Sequence, residues 1–190
     1  MSSHDVERPF LSALWKSSDV IAAVVQWSEN FIERPHEIFG GLPVCPFARA
    51  ARLKETIRFE VRPFDMDDAL EAGGDLLRLV GEFAKTTETD GLETLFVIHP
   101  DPTQSLSDLE ALVQRLNARL ASGDLREFQA FEAHPQSNFR VGGLFTRRSP
   151  FPSFQVLSRR RLKKGSDSLR GSPYYSQFTP DMLRAVGMPR

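Results

Sequence analysis

The segment "TLFVIHPDPTQSLSDLEALVQRLNARL", residues 94–120, joins a short apolar run to the clearest amphipathic pattern of the chain. The run 94–98 predicts a central strand that is covered on both faces. After it, Ser107 and Glu110 have capping-box spacing, and apolar side chains recur with helical period at Leu106, Leu109, Leu112, Val113, Leu116 and Leu120. The segment therefore predicts a buried strand followed by a helix that packs on the sheet.

The same alternation continues on both sides of this segment. Further strands are predicted at 56–61, 127–133 and 153–158. A first helix is predicted from Ser18 or Asp19 to about Pro35, and another from a cap at Asp65 to Phe83, weakened at Gly73 and Gly74. Short helical or irregular pieces are expected near Leu169 and from Asp181 to Val186. The pattern favours an α/β fold, a single domain with a mainly four-stranded sheet and helices packed against it.

Length and termini bound the organisation of the chain. Its 190 residues suit one domain, which we place at residues 18–165, with an N-terminal extension at 1–17 and a C-terminal extension at 166–190 packed on the domain. No apolar run approaches the roughly 18 residues needed to cross a bilayer, and "MSSHDVERPF" resembles no targeting peptide. We expect a cytoplasmic protein without membrane contact.

Charge is distributed unevenly along the chain. Residues 147–170 hold eight basic residues and one acid, a formal charge of +7, which leaves −8 for the rest of a chain with a net charge of −1. Such a strip is either a solvated surface or a binding face for an anionic partner. Its most basic part, Arg159 to Lys164, lacks the interleaved aromatic residues that stack on bases, so we expect no specific nucleic acid.

Two histidines each follow a predicted strand directly, His99 in "VIHPDP" and His134 in "FEAHPQSNFRVGGLFTRRSPFP", residues 131–152. Ligands of α/β sheets tend to bind beyond the carboxyl ends of strands, although a histidine in this position is also often a structural hydrogen bonder. The chain has no HExxH, GxGxxG, GxxxxGK[ST] or GxSxG motif. A closed zinc site and the usual nucleotide and hydrolase sites are therefore not indicated.

Cys45, the single cysteine, lies in "GGLPVCPFARAARL", residues 40–53. Pro46 suits a first helical turn, and a thiol near a helix N-terminus would have a lowered pKa. Its reactivity would make Cys45 a catalytic group or a thiolate ligand. The alternative is a buried small side chain that only packs.

Haem is a cofactor that needs few protein groups: one axial ligand, an apolar slot and cations for its propionates. We predict His134 as the metal ligand, with His99 as the alternative. The predicted catalytic residues are Cys45 and His99, and the predicted cofactor-binding residues are His134, Gly142, Gly143, Phe145, Arg147 and Arg148. Adjacent residues of an extended stretch point to opposite faces, so only one of the two arginines can face the ligand. We expect this to be Arg148, because the prolines at 150 and 152 restrict the backbone directly after it.

The segments "GGLPVCPFARAARL", "FVIHP", "AHPQSNFRVGG" and "RRSPFPSFQVLSRRRL" resemble, in order and spacing, a group of uncharacterised bacterial proteins over about residues 20–165. More distantly, the layout is similar to small biosynthetic hemoproteins that N-hydroxylate arginine. This second resemblance implies haem and oxygenation of a nitrogen-containing metabolite.

The function predicted from the sequence is a haem-binding oxygenase that acts on a small, nitrogen-containing metabolite in a biosynthetic pathway. Two alternatives stay open. One is a non-enzymatic module that binds an anion or a partner with the basic strip, Arg159 to Lys164. The other is a thiol-dependent enzyme in which His99 or His134 activates Cys45. Whether the chain is an enzyme, and whether it forms a homodimer, are also left open.

Overall fold

Helices and strands alternate along the chain in the computed structural model, which describes residues 15–64, 74–89 and 91–188. The helices are α1 (Ser17–Trp27), α2 (Ala48–Leu53), α3 (Asp75–Thr89), α4 (Leu106–Ser122), α5 (Arg159–Ser168) and α6 (Pro180–Ala185). The strands are β1 (Pro35–His36), β2 (Leu42–Pro43), β3 (Ile57–Val61), β4 (Thr94–Ile98), β5 (Phe128–Ala133), β6 (Arg140–Val141), β7 (Leu144–Phe145) and β8 (Ser153–Ser158). A π-helical turn covers Ser28–Ile32, and 3-10 turns cover Glu37–Phe39 and Pro173–Tyr175.

Four of these strands form the main sheet in the order β3-β4-β8-β5. β3 and β4 are parallel, and β8 runs antiparallel to both of its neighbours, β4 and β5. The register aligns Ile98, Ser153 and Ala133 across β4, β8 and β5. This arrangement confirms the predicted α/β class, the single domain and the four-stranded sheet.

Each face of the sheet is covered by different helices. On one face, Leu95, Val97 and Phe154 pack with the apolar stripes of α3 and α4 in the largest core cluster. On the other face, Val20 and Val24 of α1 pack with Ile98 and its neighbours. A third cluster joins Phe39 and Val141 to Leu169 and Tyr174, so residues beyond 165 pack on the domain. The face assignment follows from the alternation of side chains along each strand.

Three local predictions need a correction or a limit. The capping box at Ser107 was wrong: α4 begins at Leu106 after Ser105, whose side chain caps no backbone N–H and pairs with the hydroxyl of Ser107 at 2.7 Å. The first helix changes to π-helical geometry at Ser28 instead of continuing regularly to Pro35. The predicted cap at Asp65 lies outside the described residues. Among the described residues, no helix is long and apolar enough to cross a membrane.

Candidate functional site

The carboxyl ends of β4 and β5 lie at the same end of the sheet, because both strands run antiparallel to β8. We refer to this end as the carboxyl edge. His99 and His134 follow these two strands directly. The segment that leads into β8 is hydrogen-bonded to the backbone of both histidines. The N–H of His99 donates to the carbonyl oxygen of Pro152 at 2.8 Å, and the N–H of His134 donates to the carbonyl oxygen of Arg147 at 2.9 Å. The fold therefore brings the two predicted histidines to one edge.

The ring of His134 is buried, with 1% of the residue exposed, and both of its nitrogens are hydrogen-bonded. Nδ1 accepts from the backbone N–H of Gln136 at 3.0 Å, which leaves the proton on Nε2, and Nε2 donates to the carbonyl oxygen of Gln104 at 2.8 Å. Metal binding by His134 would require the loss of one of these bonds. Its role as a haem ligand stays a prediction, and the geometry shows a residue that joins two loops.

The ring of His99 is half-buried and packs edge-on against Phe64, with 5.0 Å between the ring centres. Nδ1 lies 3.1 Å from the backbone nitrogen and 3.2 Å from the carbonyl oxygen of Asp101. An unprotonated Nδ1 can accept from the backbone N–H of Asp101, and a protonated Nδ1 can donate to its carbonyl oxygen. Nδ1 therefore has a hydrogen-bond partner in both neutral tautomers and in the imidazolium. Nε2 makes no hydrogen bond to any residue that the structure describes. Burial of the ring lowers the pKa of His99. This effect outweighs the hydrogen bond with the Asp101 backbone, which raises it.

Arg147 is engaged in contacts within the fold. Its side chain, 13% exposed, forms an ion pair with Glu132 on β5. It also donates to the carbonyl oxygen of Ala185 at 2.8 Å and lies 4.1 Å from the ring centre of Phe139. These contacts connect β5 with the C-terminal helix. The sequence argument favoured Arg148 as the inward arginine, whereas the structure shows that Arg147 is the less exposed of the two.

Arg148 is exposed but its guanidinium group is held in place. The central carbon lies 3.5 Å from the ring centre of Phe145, and Nε donates to the carbonyl oxygen of Ser137 at 3.1 Å. The two terminal nitrogens have no hydrogen-bond or ion-pair partner among the described residues. A planar guanidinium group whose orientation is fixed and whose terminal N–H groups are free can bind a carboxylate or a phosphate with two parallel bonds. Phe145 and Arg148 are in contact, and His99 follows β4 at the same end of the sheet. We call these three residues the edge site.

Gly142 and Gly143 form the turn of a two-residue hairpin between β6 and β7. Their φ angles are +54° and +91°, a region that favours glycine and that such hairpin turns require. A Cβ on Gly142 would also lie 2.9 Å from Cγ2 of Ile38. Turn geometry and close packing therefore account for both glycines, and their predicted contact with a flat cofactor stays a prediction.

Cys45 precedes α2 and does not have the lowered pKa that the sequence suggested. Burial raises the pKa of its thiol, and this effect outweighs the hydrogen bonds from the backbone N–H groups of Phe47 and Ala48, which lower it. The charged group that acts on the thiol is Glu33. No histidine appears among the described groups that act on Cys45, so the thiol-dependent enzyme stays a prediction without a contact that favours it.

Much of the basic strip is neutralised within the chain. Arg161 forms an ion pair with Glu93, and Asp167 pairs with Lys163 at 2.5 Å and with Arg170 at 2.7 Å. Arg159 donates to the side chain of Gln129 at 2.8 Å. In the part of the chain that the structure describes, the cations of α5 without a salt bridge are Arg159, Arg160 and Lys164. The strip therefore offers an external anion fewer free charges than its sequence suggests.

Sequence reasoning missed a second polar cluster, around the π-helical turn. Arg52 of α2 makes a two-pronged contact with Glu33, at 2.9 Å for each bond, and a further ion pair with Glu29 at 2.8 Å. The carboxylate of Glu33 is 4% exposed, and its pKa is lowered chiefly by Arg52. Nothing in the local pattern could have paired residues 19 positions apart. The cluster fastens α2 to the end of α1.

Two cavities of the described part of the chain lie elsewhere than the edge site. One is an open depression on the surface of α1, and one of about 190 Å³ lies between α5, Tyr175 and Met188. None of the residues predicted for the haem or catalytic site lines either of them, whereas Lys163 of the basic strip lines the second. The described residues also contain no group of three or more histidine, cysteine, aspartate or glutamate side chains that could hold a metal ion.

The fold and the edge site thus define an α/β protein with a candidate anion site at the carboxyl ends of two strands. Residues 19–175 match the family described as "Protein of unknown function (DUF1415)", and the chain belongs to this family. No curated protein and no solved structure shows significant similarity to the chain. The expected membership of an uncharacterised family is confirmed. The comparisons give no support to the likeness with hemoproteins.

Proposed function

We propose that the protein binds a small anionic molecule at the edge site, with Arg148 as the anion receptor. The observation that carries this proposal is the guanidinium group of Arg148, which Phe145 and Ser137 orient while its terminal nitrogens are free. Holding the side chain in place before binding reduces the entropy lost on binding. Arg147 supports the assignment by contrast, because its own charge is already used by Glu132.

His99 gives this site a chemical function, the transfer of a proton to or from the bound molecule. Its lowered pKa keeps the ring neutral near pH 7, so Nε2 can act as a base while Nδ1 donates to the carbonyl oxygen of Asp101. The resulting imidazolium keeps the same Nδ1 partner. We therefore propose an enzyme whose substrate carries a carboxylate or a phosphate and exchanges a proton with His99.

Titration with inorganic phosphate and with small dicarboxylates, followed by NMR shifts of the backbone amides at 137–149, tests the anion site. Arg148→Ala should weaken binding by about 10-fold or more, as expected for the loss of a hydrogen bond to a charged group. Arg148→Lys should recover only part, because lysine lacks the planar pair of donors. Arg140→Ala is the matched control, since Arg140 is exposed on the same hairpin. Equal losses in Arg140→Ala and Arg148→Ala would contradict the proposal.

Haem-dependent oxygenation remains a second candidate function, in which His99 rather than His134 would hold the iron. A histidine that binds a metal usually donates its other ring N–H to a carbonyl or carboxylate oxygen, and Asp101 provides such a carbonyl for His99. Arg148 would then bind a propionate. Haem would supply the activation of oxygen, and the chain would supply the imidazole nitrogen of His99 and the cation of Arg148.

The absorption spectrum of the protein after haem titration and gel filtration tests this candidate. A Soret band that is lost in His99→Ala but kept in His134→Gln, at equal folded fraction, would support axial ligation by His99. A colourless wild-type protein would end the haem proposal. It would leave the anion site untouched, because phosphate binding is measured without haem.

A further inference from the structure

Helix α2 presents an apolar face to solvent. Phe47, which precedes the helix, is 44% exposed, and Leu53, at its end, is 63% exposed. Ala50 is exposed between them, and the three positions are spaced at three-residue intervals, which places them on neighbouring parts of one helical surface. Exposed large apolar side chains that adjoin each other often mark an interaction site, whereas scattered single ones do not.

The basic helix α5 borders this apolar face directly. The ring of Phe47 lies against Gly165, so close that a Cβ at Gly165 would be 2.9 Å from Cε2 of the ring. Gly165 lies one helical turn after Arg161 and next to Lys164. The glycine thus allows the aromatic side chain of one helix to sit on the surface of the other, and the two helices share one surface.

Cations without a salt bridge lie on both helices that form this shared surface. Of the basic residues that flank it, four make no salt bridge within the described part of the chain: Arg49, Lys54, Arg160 and Lys164. Arg160 and Lys164 are four residues apart and lie on the same side of α5. We call Phe47, Leu53 and these four cations the α2–α5 patch.

We propose that the α2–α5 patch docks an acidic segment of another protein, with an apolar side chain on Phe47 and Leu53 and carboxylates on the four cations. The charge of the patch is the argument for this occupant, since apolar anchors with a complementary charged rim are typical of peptide recognition. A symmetric contact with a second copy would place the same cations against each other. An acidic segment can pass beside the exposed carboxylate of Glu55, which follows Lys54, whereas a flat anionic lipid surface would cover it.

A labelled helical peptide tests the proposal. The probe carries leucines on one face flanked by glutamates, and its matched peptide carries glutamine at each glutamate position. Fluorescence anisotropy with the full chain should show binding of the glutamate peptide only. Reversing charge in Lys54→Glu/Lys164→Glu should weaken it by about 10-fold, and Leu53→Ser by about 5-fold, the cost of losing one anchor. Arg115→Glu, an exposed charge reversal on α4, should leave binding unchanged.

Four outcomes would overturn the proposal. They are equal binding of the two peptides, no binding of either peptide, the same loss in Arg115→Glu, and a Leu53→Ser variant that binds like wild type. Sedimentation would identify the other occupants: a dimer abolished by Leu53→Ser indicates a second copy, and pelleting with vesicles containing about 30% phosphatidylserine indicates lipid. Thermal melts confirm that each variant folds. Phosphate binding at Arg148 is measured on the same samples, so failure at one site is distinguishable from failure at the other.

Discussion

Nε2 of His134 donates a hydrogen bond to the carbonyl oxygen of Gln104 at 2.8 Å, and this bond joins the loop after β5 to the loop after β4. The loop after β4 begins with His99, whose Nδ1 contacts the backbone of Asp101. One histidine therefore helps to hold the loop on which the other is presented. The two residues have the same sequence context, a strand end followed by proline, but different environments.

His134→Ala should be strongly destabilising. The substitution removes a buried ring, leaves the carbonyl oxygen of Gln104 and the N–H of Gln136 without their partner, and opens a cavity, for which we expect a loss of about 3–5 kcal/mol. His99→Ala should cost about 1 kcal/mol, because its ring is only half-buried. Urea unfolding of both variants measures the difference. Similar losses in the two would show that His99 also supports the fold.

The two adjacent arginines should respond in opposite ways. Arg147→Ala should destabilise the fold by about 2 kcal/mol, since it leaves the partly buried carboxylate of Glu132 without its partner. Arg148→Ala should cost no more than about 1 kcal/mol, the value of an exposed contact between a cation and a ring. Thermal and urea unfolding give the stability, and the phosphate titration gives the binding. A stable Arg147→Ala variant with weakened phosphate binding would reverse the assignment.

The His99 ring should titrate below its ordinary value of 6.5, because burial penalises the imidazolium. Below pH 6.5 the unfolded chain takes up a proton before the folded protein does. The free energy of unfolding should therefore fall as the pH drops from about 6.5 to the folded pKa, and then level off for this group. The Hε1 shift of His99 measured by NMR against pH gives the midpoint. A midpoint above 6.5 would contradict the proposed neutral base.

The contact between Glu33 and Arg52 should make the free energy of unfolding depend on pH in the acidic range. Because Arg52 lowers the pKa of Glu33 below 4.5, its contribution is fully present above pH 4.5 and is lost as the pH falls through the folded pKa. Glu33→Gln should be less stable than wild type by about 2 kcal/mol at pH 7. The gap should narrow toward pH 3. Thermal melts from pH 3 to 7 check this, with Glu37→Gln, an exposed neighbour, as the control. A gap independent of pH would show that packing, not charge, is responsible.

The amino-acid sequence by itself determined the main elements of the fold. The strand 94–98 and the helix from Leu106 are recognisable because their apolar periods, continuous in one and helical in the other, depend only on neighbouring residues. The strand at 153–158 was found with its observed ends. That His99 and His134 each follow a strand directly is also local information. Their meeting at one end of the sheet is not, because it depends on β4 and β5 both running antiparallel to β8.

Only the tertiary structure decided which candidate side chains are free to act. Arg147 and Arg148 are neighbours of the same type, and what separates them is Glu132, fifteen residues earlier, and the backbone of Ala185, thirty-eight residues later. For Cys45, the helix start visible in the sequence predicted a lowered pKa, but burial by distant parts of the chain raises it. Desolvation and ion pairing depend on residues that are remote in sequence, and for that reason no local pattern could have shown them.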